Sequence, residues 1–226
     1  MQIINVLTQY YPSFFKALGV TLQMTVFSLF FATILGVIFG LFKVSDFKAL
    51  KFIANIYIDI IRGTPLLVQV FIMYYGVGSM LRPYGFQWNM IGGAFSAGCV
   101  TLSLNAGAYM AEIIRGGIEA VDKGQMEAAR SLGLSYGKAM RKVILPQAFR
   151  TMLPSIINQF IISLKDTSLV SVIGPRELTQ NGKIIAANSA SMVMPIWICV
   201  ALFYLVVCTI LSRIAKYVER RVSYGK

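Results

Sequence analysis

The run from Ala17 to Phe42 contains no charged residue and is longer than the roughly 20 residues a helix needs to cross a hydrocarbon core. Lipid offers no partner to a bare peptide group, so such a run must satisfy its own backbone as a helix. Further apolar runs follow at 52–81, 92–114, 153–173 and 192–211. The expected fold is an all-α membrane protein with five transmembrane helices at these positions, forming one transmembrane domain over 1–226. The second run is interrupted by Asp59 and by Arg62-Gly63-Thr64-Pro65. A proline behind a threonine is a helix-start signal, so the spacing predicts a break there, with the span proper at 66–81. Residues 1–16 read as a short interfacial segment, with Tyr10, Tyr11, Phe14 and Phe15 placed for an aromatic belt.

The chain is 57% hydrophobic and 13% charged, where a soluble domain carries about a quarter charged residues. Its net charge of +12 is punctuation between apolar runs and not a basic face interleaved with aromatics, so nucleic acid is not an expected partner. The distribution sets an orientation instead. Segment 43–62 holds four Lys or Arg, 115–150 holds seven and the tail from Arg213 holds five; the other side holds Lys16, Arg82, Arg176 and Lys183. Basic residues favour the cytoplasmic side, which predicts an N-out, C-in chain with 115–150 in the cytoplasm. Cys99, Cys199 and Cys208 lie inside apolar runs without metal or disulfide spacing and read as small buried hydrophobes. Histidine is absent, which removes the commonest general base and metal ligand. The N-terminus lacks the basic region of a cleavable signal peptide.

The longest polar interruption, Ala111 to Arg150, is both basic and helix-forming. Within it, Gln125 to Leu132 favours helix, Gly133 suits a left-handed C-cap, and Ser135 can cap the next helix. Two short helices meeting at a glycine make a compact knob for a partner's groove. Glu127-Ala128-Ala129, Gly133 and Leu145-Pro146 stand at the spacing of the EAA motif of bacterial ABC importer permeases, with Val143 where isoleucine is common. The blocks RGTPLLVQ (62–69), LNAGAYMAEIIRGGI (104–118), GQMEAARSLGLS (124–135), LPQAFR (145–150) and LKDTSLVSVIG (164–174) resemble, in order and spacing, the polar amino acid branch of those permeases. The resemblance implies a multi-pass protein of the bacterial plasma (inner) membrane, working as a homodimer or as a heterodimer with a second permease. It implies two copies of an ATP-binding subunit and an extracytoplasmic solute-binding protein as partners, and alternating access driven through the EAA loop as coupling helix. No GxxxxGK[ST] motif occurs; Gly133 to Ala139 has the wrong spacing. No cofactor is expected on this chain, with ATP and Mg used by the partner, and the chain is not itself an enzyme.

Candidate substrate-binding residues are Asp166, Asn105, Thr101, Gln69 and Tyr75; candidate ATPase-coupling residues are Glu127, Ala128, Ala129, Gly133, Leu145 and Pro146. An acid within a span is a functional candidate by default, so Asp166 is read as facing a cavity and holding the substrate ammonium; the alternative is a structural ion pair. Lys165, about 100° round the helix, snorkels or pairs structurally. Asn105 either binds substrate or bonds a neighbouring helix, and Thr101 shares its face at i, i+4. Glu112 and Arg115 form an i, i+3 pair. Arg62, Thr64 and Pro65 shape a helix start, and Gly107, Gly116 and Gly117 allow close helix approach. The rival class is a secondary transporter or channel using Lys165 and Asp166, against which the small size counts. A membrane enzyme finds no reactive constellation to rest on.

Overall fold

The computed structural model describes residues 2–223; the tail's last residues, Lys226 included, lie outside the described residues. All regular structure among the described residues is helical: α1 Gln2–Val44, α2 Lys48–Arg62, α3 Leu66–Tyr84, α4 Ala94–Glu119, α5 Lys123–Ser131, α6 Tyr136–Ile173, α7 Leu178–Ala187 and α8 Val193–Ser223. Four of these are long and apolar enough to cross a membrane, and α2 with α3 makes a fifth if the bent pair is one span.

The first helix departs from expectation. Residues 2–16 are not a separate interfacial piece but the opening turns of α1. At 1.5 Å per residue its 43 residues reach about 65 Å, roughly twice the hydrocarbon thickness. Tertiary packing extends it: Val6, Phe14 and Ala17 bury against Leu178, Ile185, Ile196 and Val200. Ser13 donates to Asn181 Oδ1 at 2.8 Å, and Thr21 Oγ1 accepts the Leu178 amide at 3.1 Å. Phe14 is therefore core, while Tyr11 and Phe15 remain exposed.

α4 is the axis of the molecule, packed along α1, α2 and α6. Small residues set the distance. A Cβ on Gly36 of α1 would fall 2.5 Å from Met110 Cβ, and one on Gly107 would fall 2.9 Å from Leu35 Cβ and Tyr57 Oη. Gly117 meets Met152 in the same way, whereas Gly116 faces open space and has no packing role.

The expected break is present and severe: α2 and α3 meet at 103° around Gly63-Thr64-Pro65. The polar segment 115–150 is largely helical, because α4 runs on to Glu119 and α6 begins at Tyr136. The spans expected at 92–114 and 153–173 thus belong to longer helices. Pro146 stays inside α6 because the preceding turns, Met140–Ile144, are π-helical, a wider coil that tolerates a residue with no amide hydrogen.

Candidate functional site

A cavity of about 640 Å³ lies where the α2–α3 break faces α4 and α6. The break contributes Arg62, Gly63, Thr64, Pro65 and Leu66; α4 contributes Asn105 and Tyr109; α6 contributes Gln159, Ile162 and Asp166. Each helix supplies one face: 105 and 109 are one turn apart, and 159, 162 and 166 follow at i, i+3, i+7. Asp166 is the only acid among the described residues lining it, and Lys165 beside it is exposed and does not line it, as the helical offset predicts.

The break holds its shape through side chains. Opening a helix at 62–65 strands carbonyls that must find donors. Thr64 Oγ1 donates to Ile60 O at 2.8 Å. Gln69, folding back from the first turn of α3, donates through Nε2 to Ile61 O at 2.7 Å and to Thr64 O at 3.0 Å. Its Oε1 accepts from Asn105 Nδ2 at 2.9 Å. Gln69 is thus spent on the break and does not line the cavity, whereas Asn105 lines it with its amide nitrogen committed to Gln69. Thr101 is buried, with its hydroxyl given to Ala97 O at 2.8 Å, and does not line the cavity. Tyr75 sits apart, at a shallow surface pocket with Tyr74, Arg82 and Trp88.

Two turns beyond Asn105 on α4, Glu112 gathers an ionic cluster. Arg115 donates to Glu112 Oε2 through Nε at 3.0 Å and Nη2 at 2.8 Å, and also reaches Glu119. Lys43 of α1 contacts Glu112 directly, and Arg62 Nη1 stands 3.7 Å away. The i, i+3 pair was legible from spacing; its partners on α1 and α2 were not. Another carboxylate, Glu177, is wholly buried and caps α7, accepting from the Thr179 amide at 2.8 Å and the Gln180 amide at 2.6 Å. Burial pushes its carboxyl above the usual range, against the pull of those donors.

Just past the C-terminus of α4, Asp122 caps α5 by accepting the Gly124 amide at 2.7 Å. The helix ends in a Schellman arrangement: Leu134 N–H donates to Ala129 O at 3.2 Å and Gly133 N–H to Arg130 O at 3.0 Å, with Gly133 at φ 83°. Ser135 holds the N-cap position of the next helix without a side-chain bond. Glu127 and Ala128 are exposed, Ala129 is buried, and Leu132 presents 85% of its surface. Leu145 packs with Ile144 and Met126 beneath this corner, and Pro146 is exposed beside it.

Residues the sequence reading did not assign to the site are Arg62, Thr64, Tyr109 and Gln159. Tyr109 and Gln159 carried a usable signal, since they stand at i+4 from Asn105 and i−7 from Asp166.

Residues 32–224 match the family model for the binding-protein-dependent transport system inner membrane component. The arginine transport system permease protein ArtQ of Bacillus subtilis is 40% identical over 212 residues, covering 94% of this chain and 93% of that protein. The glutamine transport system permease protein GlnP of Escherichia coli is 41% identical over 213 residues, covering 94% of each. Among solved structures, an amino acid ABC transporter crystallised with histidines superposes at TM-score 0.86 with 41% identity, over 95% of this chain and 96% of that one. An inward-facing MetNI methionine ABC transporter superposes at 0.78 with 18% identity, over 95% and 98%, which shows the shared fold.

Proposed function

The chain belongs to the family of binding-protein-dependent transport system inner membrane components, and on that premise we propose that it is the transmembrane subunit of an ATP-driven importer of polar amino acids. It is an integral inner-membrane protein, a permease component of the ABC amino acid importer family. The observation that carries the substrate half of the proposal is the polar cavity with Asp166 in its wall. Asp166 receives the substrate ammonium from α6, and Asn105 offers its free carbonyl from α4. Few groups grip the substrate, which suits a site that must release what it binds.

The basic segments support a corner at Gly133 on the cytoplasmic side, with the chain N-out and C-in. Glu127, Ala128, Ala129 and Gly133, supported by Leu145 and Pro146, form the knob that enters a groove on the ATP-binding subunit. Two such subunits use ATP and Mg, and this chain holds no cofactor. Closure of the pair moves the knob, and α6 rises directly from it to Asp166, so one continuous helix carries the motion to the cavity as a rigid body. Alternating access then follows from the movement of α6 against the break. A permease partner, either a second copy or a related chain, completes the path, and an extracytoplasmic solute-binding protein delivers the substrate.

The test is a tagged pull-down from native membranes with ATPase activity assayed on what co-purifies, alongside uptake under ATP depletion and under collapse of the proton gradient. The expected result is a co-purifying ATPase and uptake that fails with ATP. A chain that purifies alone and supports gradient-driven flux in liposomes makes it a secondary transporter instead.

A further inference from the structure

The cavity face of α4 does not end at Tyr109. Asn105, Tyr109 and Glu112 stand at i, i+4 and i+7, so the stripe that lines the cavity runs on into the ionic cluster. That cluster has an imbalance. Lys43, Arg62 and Arg115 surround Glu112 and Glu119, three cations to two acids. Lys43 and Arg115 are tied by direct hydrogen bonds and are 18% and 30% exposed. Arg62 is the loose member: its side chain is 43% exposed and its Nη1 stands beyond hydrogen-bond distance from Glu112 at 3.7 Å. It rests 5.4 Å above the Tyr109 ring and forms part of the cavity wall together with Asp166.

We propose that Arg62 is the carboxylate-binding group of the cavity and that it is exchanged, resting against Glu112 when the cavity is empty and leaving it for the substrate carboxylate when the cavity is filled. This rests on the amino acid importer reading and adds to it the second half of the zwitterion and a route by which occupancy is reported. A half-exposed ion pair at 3.7 Å is among the weakest, whereas a guanidinium forked onto a carboxylate in an enclosed site is among the strongest. Tyr109 supplies a surface over which the guanidinium can move while remaining partnered. Glu112 also holds Lys43, so the exchange loosens a tie between α2 and α4 at the point where α1 is anchored.

The test uses the purified permease assembly, nucleotide-free and without a binding protein. Binding of radiolabelled L-arginine and L-glutamine is competed by the same free acids and by their methyl esters. The wild type is expected to prefer free acid over ester by about tenfold or more, the usual margin of a charge-assisted bidentate contact. Arg62→Gln should bind both at the ester's level. Glu112→Asp keeps the negative charge but draws the carboxylate back by one methylene, and Arg62, already the most distant of its three partners at 3.7 Å, is the first released, so free acid should bind roughly two- to fivefold tighter with the ester unchanged, the range of an exposed pair. The proposal is overturned if the wild type shows no such preference, if Arg62→Gln retains it, or if Glu112→Asp shifts acid and ester alike. Should Arg62→Gln fail to assemble, Arg62→Lys decides: an intermediate preference supports the exchange, and an unaltered one overturns it. If neither probe binds, the same acid and ester pairs are run across the remaining polar L-amino acids and cystine; a wild type that binds none of them sinks the importer reading itself, while binding with a preference independent of Arg62 sinks only the exchange.

Discussion

The chain turns two sharp corners next to a glycine, and they are built in opposite ways. At Gly63 the break between α2 and α3 is answered by side chains: Thr64 and Gln69 cover the stranded carbonyls and Asn105 locks Gln69 from α4. At Gly133 the corner closes chiefly on its own backbone, with Arg130 adding a bond to Leu134 O at 3.3 Å and Ile144 and Leu145 packing beneath Met126. A break between two helices strands peptide groups on both sides, and at Gly63 side chains answer them. At Gly133 the left-handed glycine lets the backbone supply two of those bonds itself. The first corner is therefore a finished wall around a cavity. The second holds an exposed Leu132, Glu127 and Ala128 above open space, the profile of a surface made to be covered.

The contrast breaks most visibly at the outer corner. Glu127→Lys, or Gly133→Val, should leave the protein in the membrane while ATP-driven uptake falls on the order of 30-fold, the scale of about 2 kcal/mol at a docking hot spot. Valine at φ 83° reshapes the corner by strain alone, since a Cβ there meets nothing. Normal uptake by either variant would remove the docking role. Next comes the cavity wall: Asp166→Asn should lower uptake on the order of tenfold with ATPase co-purification intact, because only a charge-assisted contact to substrate is lost. Unchanged uptake across the candidate amino acids would reduce Asp166 to packing.

Smaller effects sharpen the same comparison on the stability side. Gln69→Leu should lower the melting temperature in detergent by the equivalent of about 1–2 kcal/mol, since Ile61 O and Thr64 O lose their donor. Leu132→Asp should leave the melting temperature unmoved while the ATPase is lost from the pull-down. The least is expected within the outer corner's caps. Asp122→Ala should cost about 1 kcal/mol, because its carboxylate takes the Gly124 amide. Ser135→Ala should stay within about 0.5 kcal/mol, because its hydroxyl caps nothing. Equal losses at the two positions would show that the cap at Asp122 contributes no more than its neighbour.

The apolar runs, the break at Arg62–Pro65, the glycine corner and the Glu112–Arg115 pair were all legible, because each depends on residues within a turn or two of one another. Asp166 and Asn105 were legible as site candidates for a related reason: a charge or amide inside an apolar run is conspicuous whatever its neighbours. Gln69 was equally conspicuous, yet its amide is consumed by Ile61, Thr64 and Asn105, and no local pattern says where a side chain will be spent. Residues 1–16 read as a short interfacial segment, and 2–16 become the opening turns of a long helix because α7 and α8 bury Val6 and Phe14.

By itself, then, the sequence determined that this chain is a bundle of apolar helices with basic ends, a broken second span and a polar helical corner, since hydrophobic length, charge and glycine or proline chemistry act locally. The tertiary structure alone decided that the break becomes the wall of a cavity facing Asp166, that Gln69 ties the break to Asn105, and that Lys43 and Arg62 converge on Glu112. Those outcomes depend on helices far apart in sequence being brought within hydrogen-bond reach, at spacings set by Gly36, Gly107 and Gly117, and distance in space is what a linear pattern does not carry.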